Sequence, residues 1–305
     1  MRYYLSIASK ISDTTFNAWP TTHSFSSQQA IREGVITHKR TFLRSLVALS
    51  AIGSLGLLTA CGESAPSSVK VGVTAGPHAA IVTAAADVAA KRGLKVEVVE
   101  FTDYVTPNTA LNDGALDLAV YQHEPFLNNF NERQKTKLVN VADAVVQPMG
   151  FYSNQVHNLK DVQPGSLFAI PNDPTNSGRA LLLLQASGLI TLKDGQGADA
   201  TLDDIVKNPK NIKIRELEAA QLPRSLDDAT VAVIPMNYVI SAGLSPEKQG
   251  FYFESLDAPF ALIVIAAREN NQTDAKVKAF IEAYRSPEVK AFVEKTFNGT
   301  IKSSW

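Results

Sequence analysis

The chain has 305 residues, of which 45% are hydrophobic and 19% charged, with a formal net charge of −1. This is the composition of a soluble α/β protein long enough for two lobes, and with no Lys/Arg-rich run it argues against nucleic acid as a partner. The single cysteine, Cys61, excludes an internal disulfide and any multi-cysteine metal or redox centre.

In chain order, residues 1–60 read as a signal region. Lys39, Arg40 and Arg44 form a basic start, and Leu46–Leu58 is an apolar run too short to span a bilayer comfortably. It ends in Leu58-Thr59-Ala60-Cys61, which resembles a bacterial lipobox. Cys61 is therefore expected to carry the lipid and to become the N-terminus of the mature chain. Two or more acyl chains on one cysteine suffice for stable anchoring. Residues 1–34 are Ser/Thr-rich and precede the basic start, so they read as a mis-assigned extension, with the initiator near Val35 and the signal peptide over 35–60. Residues 61–68 follow as a flexible tether of small and polar residues.

The mature chain opens on a strand over Val69–Thr74 and an alanine-rich helix over Ala79–Lys91 closed by Gly93. A strand over Lys95–Phe101, a short helix over Asn108–Asp113, a strand over Leu116–Tyr121, a helix around Phe126–Gln134 and a strand over Leu138–Val146 complete a βαβαβ rhythm, which implies parallel pairing. The chain is expected to leave this lobe at Gln147–Tyr152.

A second α/β unit is centred on Ala169–Leu184, AIPNDPTNSGRALLLL. Its apolar strand enters a polar turn offering Thr175, Asn176 and Ser177 as helix caps, and the helix is expected to open at Arg179 and stop before Gly188. A cation in the first turn would oppose the helix dipole, which a bound anion would resolve; a solvent-facing or salt-bridged arginine is the alternative. Strands over Asn211–Leu217 and Thr230–Ile234 and a helix around Ala219–Leu226 follow. Ala261–Ala267 has the continuous apolar run of a strand buried on both faces. Asp274–Tyr284 and Pro287–Phe297 read as closing amphipathic helices. The lobes are therefore expected over 69–149 plus 250–305 and over 150–249, joined by two crossings around a cleft.

No phosphate-binding glycine loop, zinc-helix motif or nucleophile elbow is present, so neither an enzyme nor a metal or other cofactor is indicated. Loops at strand C-terminal ends carry the candidates instead. Tyr104, Tyr121 and His123 would line the cleft from the first lobe, and Asn176, Arg179 and Asn237 would face them. A guanidinium fork suits a carboxylate, asparagine oxygens suit an ammonium, and aromatic walls suit an apolar or thioether side chain. Together they describe a pocket for a free α-amino acid. Taken singly, the tyrosines could be core residues, His123 a cap of the following turn, and Asn237 a helix cap.

The stretches VGVTAGPHA, VVEFTDYVTPNTALNDGALD, YQHEPFL, PMGFYS, AIPNDPTNSGRALLLLQASGLI and ELEAAQLPRSLDDATVAVIPMNYVISAGL closely resemble the NlpA/MetQ family of methionine-binding lipoproteins, and the similarity runs from Val69 to Trp305. The resemblance implies a periplasmic-binding-protein fold of type II. It also implies lipid anchoring in the bacterial envelope and delivery of methionine to a separately encoded ABC permease and ATPase. Carried over by motif, Arg179 would pair with the ligand carboxylate. Asn176 and Asn237 would hold its amino and carboxylate groups, and Tyr104, Tyr121 and His123, with Gln122 between them, would enclose its side chain. The chain departs at Ile234-Pro235-Met236, where many members have Ile-Asn-Thr; Pro235 removes a backbone donor. That leaves selectivity among methionine-like ligands open, including another amino acid, the D-isomer or a short methionine peptide. An adhesin-type surface lipoprotein is the rival of a different class.

Overall fold

The computed structural model describes residues 68–305, so residues 1–67, with the signal region, Cys61 and nearly all of the tether, fall outside the described residues. The first half follows the expected order: β1 (Ser68–Thr74), α1 (Pro77–Lys91), β2 (Lys95–Phe101), α2 (Thr106–Asn112), β3 (Leu118–His123), α3 (Glu124–Gln134) and β4 (Leu138–Val146). Proline stands at the first position of α1 and the second of α2 and α3, within the first turn, where a missing N–H costs nothing. The second half runs β5 (Met149–Tyr152), β6 (Leu167–Pro171), α4 (Pro174–Ala186), β7 (Thr191–Leu192), β8 (Ile205–Lys207), β9 (Lys213–Leu217), β10 (Val231–Pro235), α5 (Met236–Ser241), α6 (Pro246–Gln249) and β11 (Gly250–Phe253). The chain then returns through β12 (Leu262–Arg268), α7 (Ala275–Tyr284), α8 (Pro287–Phe297) and β13 (Lys302–Ser303).

The two main sheets repeat one strand order. The first reads β13-β4-β12-β3-β1-β2 and the second β11-β5-β10-β6-β9. In each, a parallel trio (β2-β1-β3 or β9-β6-β10) is extended by a strand that has just crossed from the other sheet and runs antiparallel to its neighbours. The expected all-parallel pairing of the first lobe is thus corrected. β12 lies between β3 and β4, antiparallel to both, and its apolar run fits that fully enclosed place.

The expected boundary at residue 250 is also corrected. Gly250–Phe253 still pairs with β5 in the second sheet, so the return crossing lies between β11 and β12. The two crossings are bonded to each other: Gln147 N–H donates to the Ala261 carbonyl at 2.7 Å, and Glu254 N–H to the Met149 carbonyl at 2.9 Å. Two further expectations change. The helix around Ala219–Leu226 is two short 3-10 turns, Ala219–Gln221 and Arg224–Asp227, separated at Pro223, which cannot donate into a continuing helix. The other concerns α4 and bears on the site.

Candidate functional site

α4 begins five residues before Arg179. Asp173 is its cap, accepting from the Asn176 N–H at 3.0 Å, and Pro174 takes the first helical position. Thr175, Asn176 and Ser177 therefore lie inside the helix rather than at its cap, and Arg179 sits in the second turn. The dipole argument from a cation in the first turn falls away, since that effect fades within one turn. What holds Arg179 is a buried ion pair. Nε lies 3.1 Å from both carboxylate oxygens of Glu254, and Nη2 lies 2.5 Å from Oε2. Nη2 also donates to the Gln147 carbonyl at 3.0 Å. The salt-bridged alternative is thus realised, yet only two of three nitrogens are used. Among the described residues Nη1 has no hydrogen-bond partner, and Arg179 lines a cavity.

All six sequence candidates line that same cavity. Tyr104 comes from the loop after β2, Tyr121 and His123 from β3, Asn176 and Arg179 from α4, and Asn237 from α5. These are C-terminal ends of parallel strands in both sheets, where the backbone turns away and side chains converge. Tyr104 stacks on Tyr121 with centroids 5.9 Å apart, and Phe126 meets Tyr104 edge-on at the same distance. The Tyr121 hydroxyl donates to the Tyr104 carbonyl at 2.7 Å. Burial raises the pKa of both tyrosines, so they stand as neutral aromatic wall.

His123 does double duty. Its Nδ1 accepts from the Phe126 N–H at 3.1 Å, capping α3 as the simpler reading proposed. That leaves the proton on Nε2, which donates to Asn176 Oδ1 at 3.1 Å. Asn176 in turn gives its NH2 to Asp173 at 3.0 Å. Burial, with Arg179 adding to it, lowers the His123 pKa from 6.5 to about 3, so the ring stays neutral. Asn237 is not a cap; it lies at the second position of α5, which starts after Pro235. Its Oδ1 accepts from the Tyr104 hydroxyl at 2.8 Å, and its Nδ2 is buried without a partner.

Sequence reasoning missed Gln147 and Glu254. Gln147 sits on the crossing itself, lines the cavity, and has a buried side-chain amide nitrogen with no partner. Its one visible signal was a polar residue just after a buried strand. Glu254 has no local pattern that marks it; its role exists only through its distant partner. Among the described residues no cluster of His, Cys, Asp and Glu is placed to hold a metal ion, and no helix is long and apolar enough to cross a membrane.

Chemically, the cavity offers an aromatic wall, a guanidinium with one free edge and buried unpartnered amides. Unsatisfied buried amides are rare, and each calls for a partner.

Comparison with known proteins places the chain in a family. The family model described as NlpA lipoprotein matches residues 69–305. The D-methionine-binding lipoprotein MetQ of Yersinia pestis is 45% identical over 267 residues, which is 86% of this chain and 98% of the relative. A crystal structure of the methionine-binding protein MetQ superposes with a TM-score of 0.75 at 46% identity, covering 78% of this chain and 98% of that one. A nutrient-binding protein from Burkholderia cenocepacia, solved bound to methionine, superposes with a TM-score of 0.75 at 44% identity, covering 78% and 100%.

Proposed function

The chain belongs to the NlpA lipoprotein family, with the periplasmic-binding-protein-like fold of its relatives, and from that premise we propose that it captures methionine between its lobes for an ABC importer. One observation carries the proposal: Tyr104, Tyr121, His123, Asn176, Arg179 and Asn237 converge on a single cavity, where the Arg179 guanidinium is held by Glu254 through Nε and Nη2 alone and Asn237 Nδ2 is buried without a partner. A carboxylate satisfies both donors. The thioether lies against Tyr104, Tyr121 and Phe126, an apolar and polarisable contact that suits sulfur.

Capture proceeds by closure. Tyr104–Asn237, His123–Asn176 and the Tyr238 hydroxyl on the Thr102 carbonyl join elements of the two sheets directly. A ligand that adds contacts to both lobes favours the joined state by its differential affinity. Cys61 carries the lipid that holds the chain at the bacterial membrane, facing outward, where a separate permease and its ATPase receive the ligand. The protein binds and releases its ligand without transforming it.

The proposal is tested by denaturing the purified chain and identifying the small molecules released by mass spectrometry. Methionine, of either hand, is expected. A different amino acid or a peptide in stoichiometric amount would overturn the ligand assignment.

A further inference from the structure

One buried contact next to the cavity is chemically inconsistent until a proton is placed. His78, in α1, is buried, with Nδ1 3.1 Å from the Val120 carbonyl and Nε2 3.1 Å from the side-chain amide of Gln147. A carbonyl can only accept, so Nδ1 carries the hydrogen. Burial lowers the His78 pKa from 6.5 to about 4, so the ring is neutral and Nε2 is an acceptor. With Oε1 of Gln147 turned to the ring, two acceptors face each other and the Gln147 NH2 is left buried without a partner. A half-turn about the last side-chain bond exchanges two groups of equal size and resolves the conflict. The NH2 then donates to His78, and the carbonyl oxygen takes the buried, unpartnered place that the NH2 held in a residue lining the cavity.

We propose, resting on the assignment of an amino acid as ligand, that Gln147 presents its side-chain carbonyl to the cleft and accepts there from the ligand ammonium group, with His78 as the positioning residue that fixes this orientation. The rest of Gln147 is immobilised, since its N–H donates to Ala261 and its carbonyl accepts from Arg179. The backbone that carries the side chain is therefore fixed, and His78 is the one partner the side chain itself has among the described residues. The cavity gains an acceptor opposite its donors. Arg179 Nη1 and Asn237 Nδ2 take the carboxylate, Gln147 Oε1 the ammonium, and the two ends of a zwitterion are distinguished. A carboxylic acid without the amino group would leave Gln147 Oε1 unpaired, which is how a buried hydrogen-bonding group enforces selectivity.

Two measurements test this on the full chain. The ¹⁵N spectrum of His78 at neutral pH, assigned through bonds from its backbone, needs no substitution. The Nδ1–H form with a bare Nε2 is expected, and an Nε2–H form or a cation would overturn the proposal. Calorimetric titration then compares methionine with its des-amino analogue, 4-(methylthio)butanoate, on the unsubstituted protein and on Gln147→Met. The substitution is expected to cost methionine about tenfold in affinity and the des-amino acid no more than about twofold. Equal losses for both ligands, or no loss for either, would overturn it. Failure of the unsubstituted protein to bind methionine would instead overturn the ligand assignment, and this inference with it.

Discussion

Glu254 holds the guanidinium of Arg179 through Nε and Nη2, with side chains only 9% and 4% exposed. It also accepts from the Met149 N–H at 3.1 Å. The carboxylate sits on the return crossing, Met149 just past the first crossing and Arg179 in α4, so one ion pair ties both crossings to the helix that carries the proposed ligand anchor.

Removing either partner leaves the other charge buried alone. Arg179→Ala is expected to destabilise the protein by about 3–5 kcal/mol. For a domain of this size that lowers the melting midpoint by about 6–20 °C. It also weakens methionine binding more than tenfold, by loss of a charge-assisted hydrogen bond worth roughly 1.5–3 kcal/mol. The double variant Arg179→Met with Glu254→Gln should recover most of the midpoint and none of the affinity. Thermal melts and calorimetry separate the two effects; a double variant that regains methionine binding would remove Arg179 from the site.

Tyr104→Phe keeps the aromatic wall and deletes the hydroxyl that reaches Asn237 across the cleft at 2.8 Å. A neutral hydrogen bond contributes about 0.5–1.5 kcal/mol, so affinity should fall by up to about tenfold with little change in the unliganded melt. Stopped-flow fluorescence is expected to place the loss in a faster release rate, because the bond forms on closure. A loss confined to the association rate would contradict that.

Acid should unfold the chain through its buried histidines. The folded-state pKa values of His123 and His78 lie at about 3 and about 4, below the ordinary 6.5. Between those values the unfolded chain binds more protons, so stability is full above 6.5 and declines as the pH falls, by about 1.4 kcal/mol per unit for each histidine. Asp173, raised by burial, works the other way over the lower part of the range. Denaturant titrations from pH 7 to 4.5 should show this slope, and His78→Gln should flatten it. Methionine affinity itself should stay level from pH 8 to 5, because neither ring gains a proton there; a step near 6.5 would count against the neutral His123.

Gly178 tests how tightly α4 is mounted. A Cβ there would run into the Ala198 carbonyl, which is backbone and cannot swing aside. Helix propensity favours alanine by about 1 kcal/mol. Overpacking costs typically about 1–3 kcal/mol. Gly178→Ala is therefore expected to be destabilising in a chemical melt, and a stabilised variant would show that the 198–200 loop yields.

Much of this was readable beforehand for a physical reason. Strands such as Val69–Thr74 and Lys95–Phe101, and the caps and prolines of the helices, are local signals, and the structure reproduces them closely. The cavity residues were legible because strand ends in α/β sheets gather ligand-binding side chains, and because the motifs around Asn176 and Asn237 are unusual. What was not legible depends on distant partners. The place of β12 between β3 and β4 is decided by pairing across more than a hundred residues. The ion pair of Arg179 depends on Glu254, 75 positions away. The start of α4 was misread for a different cause: Asp173 outcompetes the Thr and Ser that follow it, since Pro174 fits only the first helical turn.

The most direct measurement is isothermal titration of L- and D-methionine into the purified chain after its carried-over ligand has been removed by denaturation and refolding. One molecule of methionine should bind per chain with heat on mixing, and Arg179→Met with Glu254→Gln should abolish that heat while the protein stays folded. A refolded chain that shows no binding to either isomer at millimolar concentration would contradict the account.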